Sequence, residues 1–129
     1  MKHGDLTRRI IGCAMEVHRV IGNGFQETIY QNALSHEFKL QGVKFAREVN
    51  MNIFYKNRHL GTRRVDFLVE KIISVEIKAV IELDDRHLNQ AMNYLEAYNL
   101  EIGLLINFGA NSLQFKRIHN NKLNPPGSD

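Results

Sequence analysis

Asp66 and, ten positions later, Glu76-Ile77-Lys78 are the residues of this chain whose types and spacing could do chemistry. Arg64-Val65-Asp66-Phe67-Leu68-Val69 alternates as a strand with one carboxylate in it, and Ile73-Ser74-Val75-Glu76-Ile77-Lys78-Ala79 reads as a second strand. Strand side chains alternate between faces, so Glu76 and Lys78 share one face while Ile73, Val75, Ile77 and Ala79 share the other. Two acids and a lysine gathered on a sheet can hold a divalent metal and a polarised water. That is the minimum equipment for hydrolysing a phosphodiester.

A cation such as Mg²⁺ prefers hard oxygen ligands. Asp66 and Glu76 can each offer one oxygen, and the carbonyl of Ile77 a third. Such a cation acidifies water and withdraws charge from a phosphate oxygen. Lys78 beside it would neutralise charge in the transition state. The ordinary reading of an isolated E-x-K is a surface ion pair worth little. Loop parity decides part of the matter. A two-residue turn at Glu70-Lys71 would pair Asp66 with Val75 and send it to the wrong face. An odd-length loop or a bulge pairs Asp66 with Glu76, with Cβ atoms roughly 5 Å apart. Two carboxylates that close repel each other unless a cation lies between them.

The elements that must position these residues follow from periodicity. Asp5 can cap a first helix to about Ile21, with Leu6, Ile10, Cys13, Ala14, Val17, Val20 and Ile21 at helical spacing. Gly22-Asn23-Gly24 stops it. A second helix runs from near Phe25 to about Leu40, with Gly42 as its stop. Val43 to Tyr55 alternates as a long strand, bent near Arg47-Glu48, and Lys56-Asn57-Arg58-His59 reads as a turn. Strands follow over about Leu60–Val69 and Ile72–Val80. A third helix starts at Asp84-Asp85 and reaches about Tyr98. Strands over about Glu101–Phe108 and Leu113–Ile118 complete the order ααβββαββ, an α/β domain with a mixed β-sheet flanked by helices. Ile102 to Ile106 is apolar on both faces, the pattern of a central buried strand. Residues 1–119 form one domain. The polar stretch 120–129, with Pro125-Pro126, reads as a mobile tail.

The 129 residues suffice for a core without staples. A single cysteine, Cys13, excludes an internal disulfide framework and fits a reducing compartment. No apolar run has the length of a membrane span, and the first residues lack a signal peptide's apolar core, so the expected location is the cytoplasm. A net charge of +3 leans toward an acidic partner, though the basic residues are scattered along the chain.

Three further features surround the acids and the lysine. Glu27 lies in the first turn of the second helix, where a carboxylate also suits the helix dipole. Gln90 and Tyr94, at i and i+4, share a face of the third helix. That helix directly follows the E-x-K strand. Together, Asp66, Glu76-Ile77-Lys78 and Gln90-Ala91-Met92-Asn93-Tyr94 resemble the D…E-x-K…Q-x-x-x-Y series of the PD-(D/E)XK nuclease superfamily, in its RecB-like branch. Gly24-Phe25-Gln26-Glu27-Thr28-Ile29-Tyr30 resembles G-x-x-E-x-x-Y, the signature of the small bacterial GxxExxY proteins. The resemblance runs from about Leu6 to Ile118 and includes Gly103 to Phe108. The superfamily's nominal proline before the first Asp is Val65 here. The resemblance implies a restriction-endonuclease-like core and a nuclease using Mg²⁺ or Mn²⁺ on nucleic acid, with DNA the expected substrate. It implies Asp66 and Glu76 as metal ligands, Glu27 completing the metal site and Lys78 as the catalytic lysine. Gln90 and Tyr94 would line the site.

Other signals carry less. Gly22-x-Gly24 lacks the third glycine of a dinucleotide fingerprint, and the six histidines show no metal-ligand spacing. His87, one turn before Gln90, reads first as a polar residue of a helix's first turn. Two readings of function stand beside each other. One is a metal-dependent nuclease; the other is a non-catalytic nucleic-acid- or partner-binding module on the same fold. A small-molecule phosphatase ranks below both. A homodimer would present two sites to two strands, but no interface is legible.

Overall fold

The computed structural model describes residues 2–123. Its elements follow the expected order: α1 (Gly4–Ile21), α2 (Glu27–Leu40), β1 (Phe45–Tyr55), β2 (Arg58–Val69), β3 (Ile73–Lys78), α3 (Asp85–Tyr98), β4 (Ile102–Asn107) and β5 (Gln114–His119). One five-stranded sheet has the order β1-β2-β3-β4-β5, with β3 and β4 parallel and the other pairs antiparallel. This is the mixed α/β sheet flanked by helices that the resemblance implies. No described helix is long and apolar enough to cross a membrane.

Local chemistry sets the element ends. Asp5 does not cap α1. The helix begins at Gly4 with His3 in the left-handed region and no side-chain cap. Asp5 lies in the first turn instead, where its charge suits the dipole. α2 starts at Glu27 rather than Phe25, because Gln26 is extended and the Phe25 N–H donates to the Tyr30 hydroxyl (3.2 Å). Gly42, at φ 70°, closes α2: the Gly42 and Val43 N–H groups return to the carbonyls of Lys39 and Phe38. This Schellman closure uses the Val43 N–H and delays β1 to Phe45. The β1–β2 turn is only Lys56-Asn57, both at positive φ as a tight two-residue hairpin demands, so Arg58 and His59 already belong to β2. α3 is capped by Asp84, whose side chain accepts from the His87 N–H while His87 Nδ1 accepts from the Asp84 N–H. His87 is thus a capping residue.

The sheet packs on both faces. Phe67, Val69, Ile73, Val75, Ile77, Leu104 and Ile106 face Ile10, Cys13, Ala14, Val17, Tyr30, Leu34 and Phe38 of α1 and α2. On the other side, Ala91 and Leu95 of α3 meet Leu105 and Ile118. Glu76 pairs with Leu105, so it projects to the α3 side, as alternation requires. All of β4 is buried, as expected, but it lies between β3 and the edge strand β5, and the central strand is β3. Gly103 allows this approach: a Cβ there would lie 2.8 Å from Ser74 Oγ and 3.2 Å from Leu95 Cδ1. Asn120 is also held, its side chain donating to the Leu100 carbonyl at 2.9 Å. Lys122 lies 3.3 Å from Glu96, and residues 124–129 of the stretch read as a tail lie outside the described residues.

One irregularity shapes the site. β2 pairs with β3 only over Phe67–Val69. Glu48, at φ 55°, falls between the pairs Arg47–Phe67 and Val49–Val65. This left-handed residue marks the bend expected near Arg47-Glu48. Beyond it β1 and β2 leave β3 as a two-stranded ribbon. Arg63 shares the parity of Phe67, yet it meets Glu76 and Tyr94 on the α3 side.

Candidate active site

The loop from Glu70 to Ile72 has odd length, with Glu70 and Lys71 at positive φ. The register Phe67–Val75 therefore brings Asp66 level with Glu76, the condition set by parity. The ladder has stopped by then, and the Asp66 carboxylate takes the place of a backbone partner. Its Oδ2 accepts from the Ile77 N–H at 2.7 Å. Its Oδ1 accepts from Gln31 Nε2 at 2.8 Å. Gln31 Oε1 in turn accepts from Arg47 Nε (2.9 Å) and Nη2 (2.7 Å), and Arg47 also donates to Asn32. Asp66 is thereby fixed between α2, β1 and β3.

Glu76 is 8% exposed. Burial pushes its carboxyl up to about 7; Arg63 and Lys78 act against that rise, and Asp66 and Glu27 add to it. Its Oε2 lies 3.5 Å from Arg63 Nη2, while its Oε1 is buried with no hydrogen-bond partner. The Arg63 guanidinium stacks over the Tyr94 ring at 3.9 Å. Burial disfavours the Arg63 charge, but Glu76, Tyr98 and Tyr94 outweigh it and hold the group above its ordinary value. Tyr94 accepts from Gln90 Nε2 at 3.2 Å and stacks on Tyr98, whose own hydroxyl is buried and unpartnered.

The structure thus brings Asp66, Glu76 and Lys78 together at the end of β3, with Glu27 close enough to act on Glu76 electrostatically. Lys78 is half-buried and Glu27 exposed. Tyr94 contacts Arg63, and Gln90 is exposed beside it. The Ile77 N–H is bound to Asp66. Gln31 and Arg63 were not singled out from the sequence. Gln31 was accessible as the i+4 neighbour of Glu27 on one helix face. Arg63 was one basic residue among many, and only the bend in β2 gives it its place.

The G-x-x-E-x-x-Y stretch has a mechanical explanation for its tyrosine. Tyr30 is fully buried and stacked on Phe108 (4.7 Å, 12°). Its hydroxyl donates to the Gly22 carbonyl at 2.6 Å and accepts from the Phe25 N–H. It clasps the loop that delivers Glu27. A second anchor is Asn107, level with Lys78 across the parallel pair and 0% exposed. It donates to the carbonyl of Val80 and accepts from the N–H groups of Val80 and Gly109. This fixes the chain as it leaves Lys78.

Among the described residues no three His, Cys, Asp or Glu side chains form a ready-made metal cage. The donor chemistry nevertheless fits a hard divalent cation. Clustered carboxylate charge and an orphaned buried oxygen on Glu76 are groups such an ion would satisfy. A cavity of about 900 Å³ lies elsewhere, between the start of α1 and β5 (Leu6, Ile11, Met15, Phe115, Arg117), and includes none of these residues.

The family model of the PD-(D/E)XK nuclease superfamily matches residues 4–118. Among solved structures, the crystal structure of SSO0001 is similar, with a TM-score of 0.57 and 19% identity over 91% of this chain. This chain spans 58% of the length of that one, and the likeness is one of fold. No curated protein sequence matches.

Proposed function

The chain belongs to the PD-(D/E)XK nuclease superfamily, and from that premise we propose that it is a metal-dependent nuclease hydrolysing phosphodiester bonds, with DNA as its substrate and the GxxExxY proteins as its closer kin. Superfamily members typically use divalent metals. The observation that carries the proposal is the buried, unpartnered Glu76 Oε1 beside Asp66, with Lys78 on the same sheet face. Asp66 and Glu76 would hold Mg²⁺ or Mn²⁺, with Glu27 and the Ile77 carbonyl completing the set. When bound, the ion supplies charge to the phosphate and an acidified water.

The chain's own residues do the rest. Gln31 and the Ile77 N–H fix both oxygens of Asp66, so this carboxylate is oriented before any ligand arrives. Lys78 Nζ places a positive charge where the pentavalent phosphate gains negative charge. Gln90 bonds the Tyr94 hydroxyl on the α3 side, and the Tyr94 ring carries Arg63. The test is cleavage of DNA and RNA substrates with Mg²⁺ or Mn²⁺. Activity should require metal and vanish in Lys78→Ala at unchanged thermal stability, and in Asp66→Asn, which keeps the Ile77 N–H partner but loses the bond from Gln31. Wild-type protein inert on all substrates with both metals refutes the proposal.

The Arg63–Glu76 pair favours a second reading. A guanidinium already lies 3.5 Å from Glu76, as in a non-catalytic binding module where the acids are structural. Calorimetry separates the two: the nuclease takes up Mn²⁺, whereas the module binds nucleic acid without it.

A further inference from the structure

The ribbon that leaves β3, residues 49–65, carries four of the chain's 17 Lys and Arg and none of its 14 Asp and Glu. The rest of the chain is therefore close to neutral. The ribbon's inner face, Val49, Met51, Ile53, Gly61 and Arg63, is half-buried. Its outer face presents Asn50, Asn52, Phe54, His59, Thr62 and Arg64, all exposed. At the tip, Lys56 Nζ lies 5.3 Å over the Tyr55 ring, and Arg58 pairs across from Tyr55. Phe54 and Tyr55 are each 59% exposed, although aromatic rings ordinarily contribute to a core.

We propose that this ribbon is the arm that holds an unpaired nucleic-acid strand, with phosphates on Lys56 and Arg58 and bases stacked on Phe54 and Tyr55. Positive charge next to exposed rings is what such a strand selects, because its backbone is anionic and every base has a π-face. The inference rests on the nuclease reading for its purpose but on the ribbon alone for its chemistry. Continuity supports it: β2 runs as one strand from Arg58 to Asp66, with a bulge at Leu60 between the pairs Ile53–Gly61 and Phe54–His59. At 3.2–3.4 Å per residue the arm reaches about 25 Å from the carboxylates. Arg63, at its base, already touches Glu76. Arg64 contributes less, since Glu48 lies 3.6 Å from it.

The experiment is fluorescence anisotropy in EDTA, where nothing is cleaved, with labelled single-stranded DNA and RNA oligonucleotides of about 20 nucleotides and the matching DNA duplex. Lys56→Ala/Arg58→Ala should weaken single-strand binding about tenfold at 0.1 M salt and flatten the dependence of log K on log salt by about 1.4, at ~0.7 per lost phosphate contact. Phe54→Ala/Tyr55→Ala should weaken it by about fivefold or more and leave the salt slope unchanged. Tighter binding of the DNA or the RNA strand identifies which backbone the arm takes. The variants must melt at the wild-type temperature, which the ribbon's position outside both core clusters favours.

Wild-type affinity in both variants overturns the proposal, as does a wild-type protein that binds no strand, or the duplex as well as the strand with no loss in Phe54→Ala/Tyr55→Ala. A wild-type dimer that Phe54→Ala/Tyr55→Ala makes monomeric, with strand binding intact, assigns the rings to self-association and also overturns it. The two proposals fail separately. Ribbon-dependent binding without cleavage sinks the nuclease reading alone, and cleavage with ribbon-independent binding sinks the arm alone.

Discussion

Replacing Glu76 by Gln should make the metal-free protein less sensitive to pH. The Glu76 carboxyl stands at about 7 against an ordinary 4.5, because burial disfavours its charge. Below pH 4.5 the group is protonated in both folded and unfolded chains and costs nothing. Between 4.5 and 7 the unfolded chain releases the proton while the folded protein keeps it, so stability falls as pH rises. Above 7 the loss levels off at about 3 kcal/mol. Gln is never ionised and escapes this loss. The substitution also changes the contact with Arg63, so the absolute stability of the variant is the wrong quantity to read. The difference between variant and wild type is the right one, and the six histidines cancel in it. Urea denaturation in EDTA at intervals from pH 5 to 8 should show that difference moving in favour of the variant by about 2–3 kcal/mol, the first part of the loss having accrued below pH 5. Saturating Mn²⁺ should then restore wild type by about 2.7 kcal/mol at a hundredfold excess over Kd, with a smaller gain for the variant. A difference that stays flat, or that moves in favour of wild type as pH rises, refutes the argument that Glu76 is a desolvated acid.

Two further outcomes follow from the anchors. Asn107→Ala strips hydrogen bonds from the buried Val80 and Gly109 backbone and should cost about 3 kcal/mol in denaturant unfolding. Tyr30→Phe keeps the stack on Phe108 but releases the Gly22 carbonyl and Phe25 N–H. It should cost about 1–2 kcal/mol and weaken Mn²⁺ binding measured by calorimetry, because Glu27 is no longer held.

Much of this fold was legible because its signals are local. Ile10, Cys13, Ala14 and Val17 mark a helix face, and the alternation through Val75 and Ile77 marks a strand, with no knowledge of what packs on them. The relation between Asp66 and Glu76 was legible as a condition on loop parity, and the loop meets it. What escaped is what arises from packing between distant segments. Arg63 reaches Glu76 across a bend, and Gln31 links Asp66 to Arg47 across three elements. Strict alternation along β2 would have sent Arg63 to the α1–α2 side with Phe67. The cap of α1 failed for the opposite reason. Asp5 has a good capping side chain, but the backbone turns at His3, two residues earlier.

The carboxylate of Asp66 has one more consequence, for the sheet itself. By occupying the Ile77 N–H it acts as a wedge that stops β2 and β3 from zipping further. A side chain without an acceptor oxygen leaves that amide seeking another partner, and the nearest backbone able to supply one is β2's own. Closing the seam would draw the ribbon's base against β3. On the proposed nuclease reading, Asp66→Ala would lose activity for two reasons at once, a lost ligand and a closed seam. Asp66→Asn keeps an oxygen for Ile77 and separates them. Hydrogen exchange at the Ile77 amide would report which state the sheet has taken.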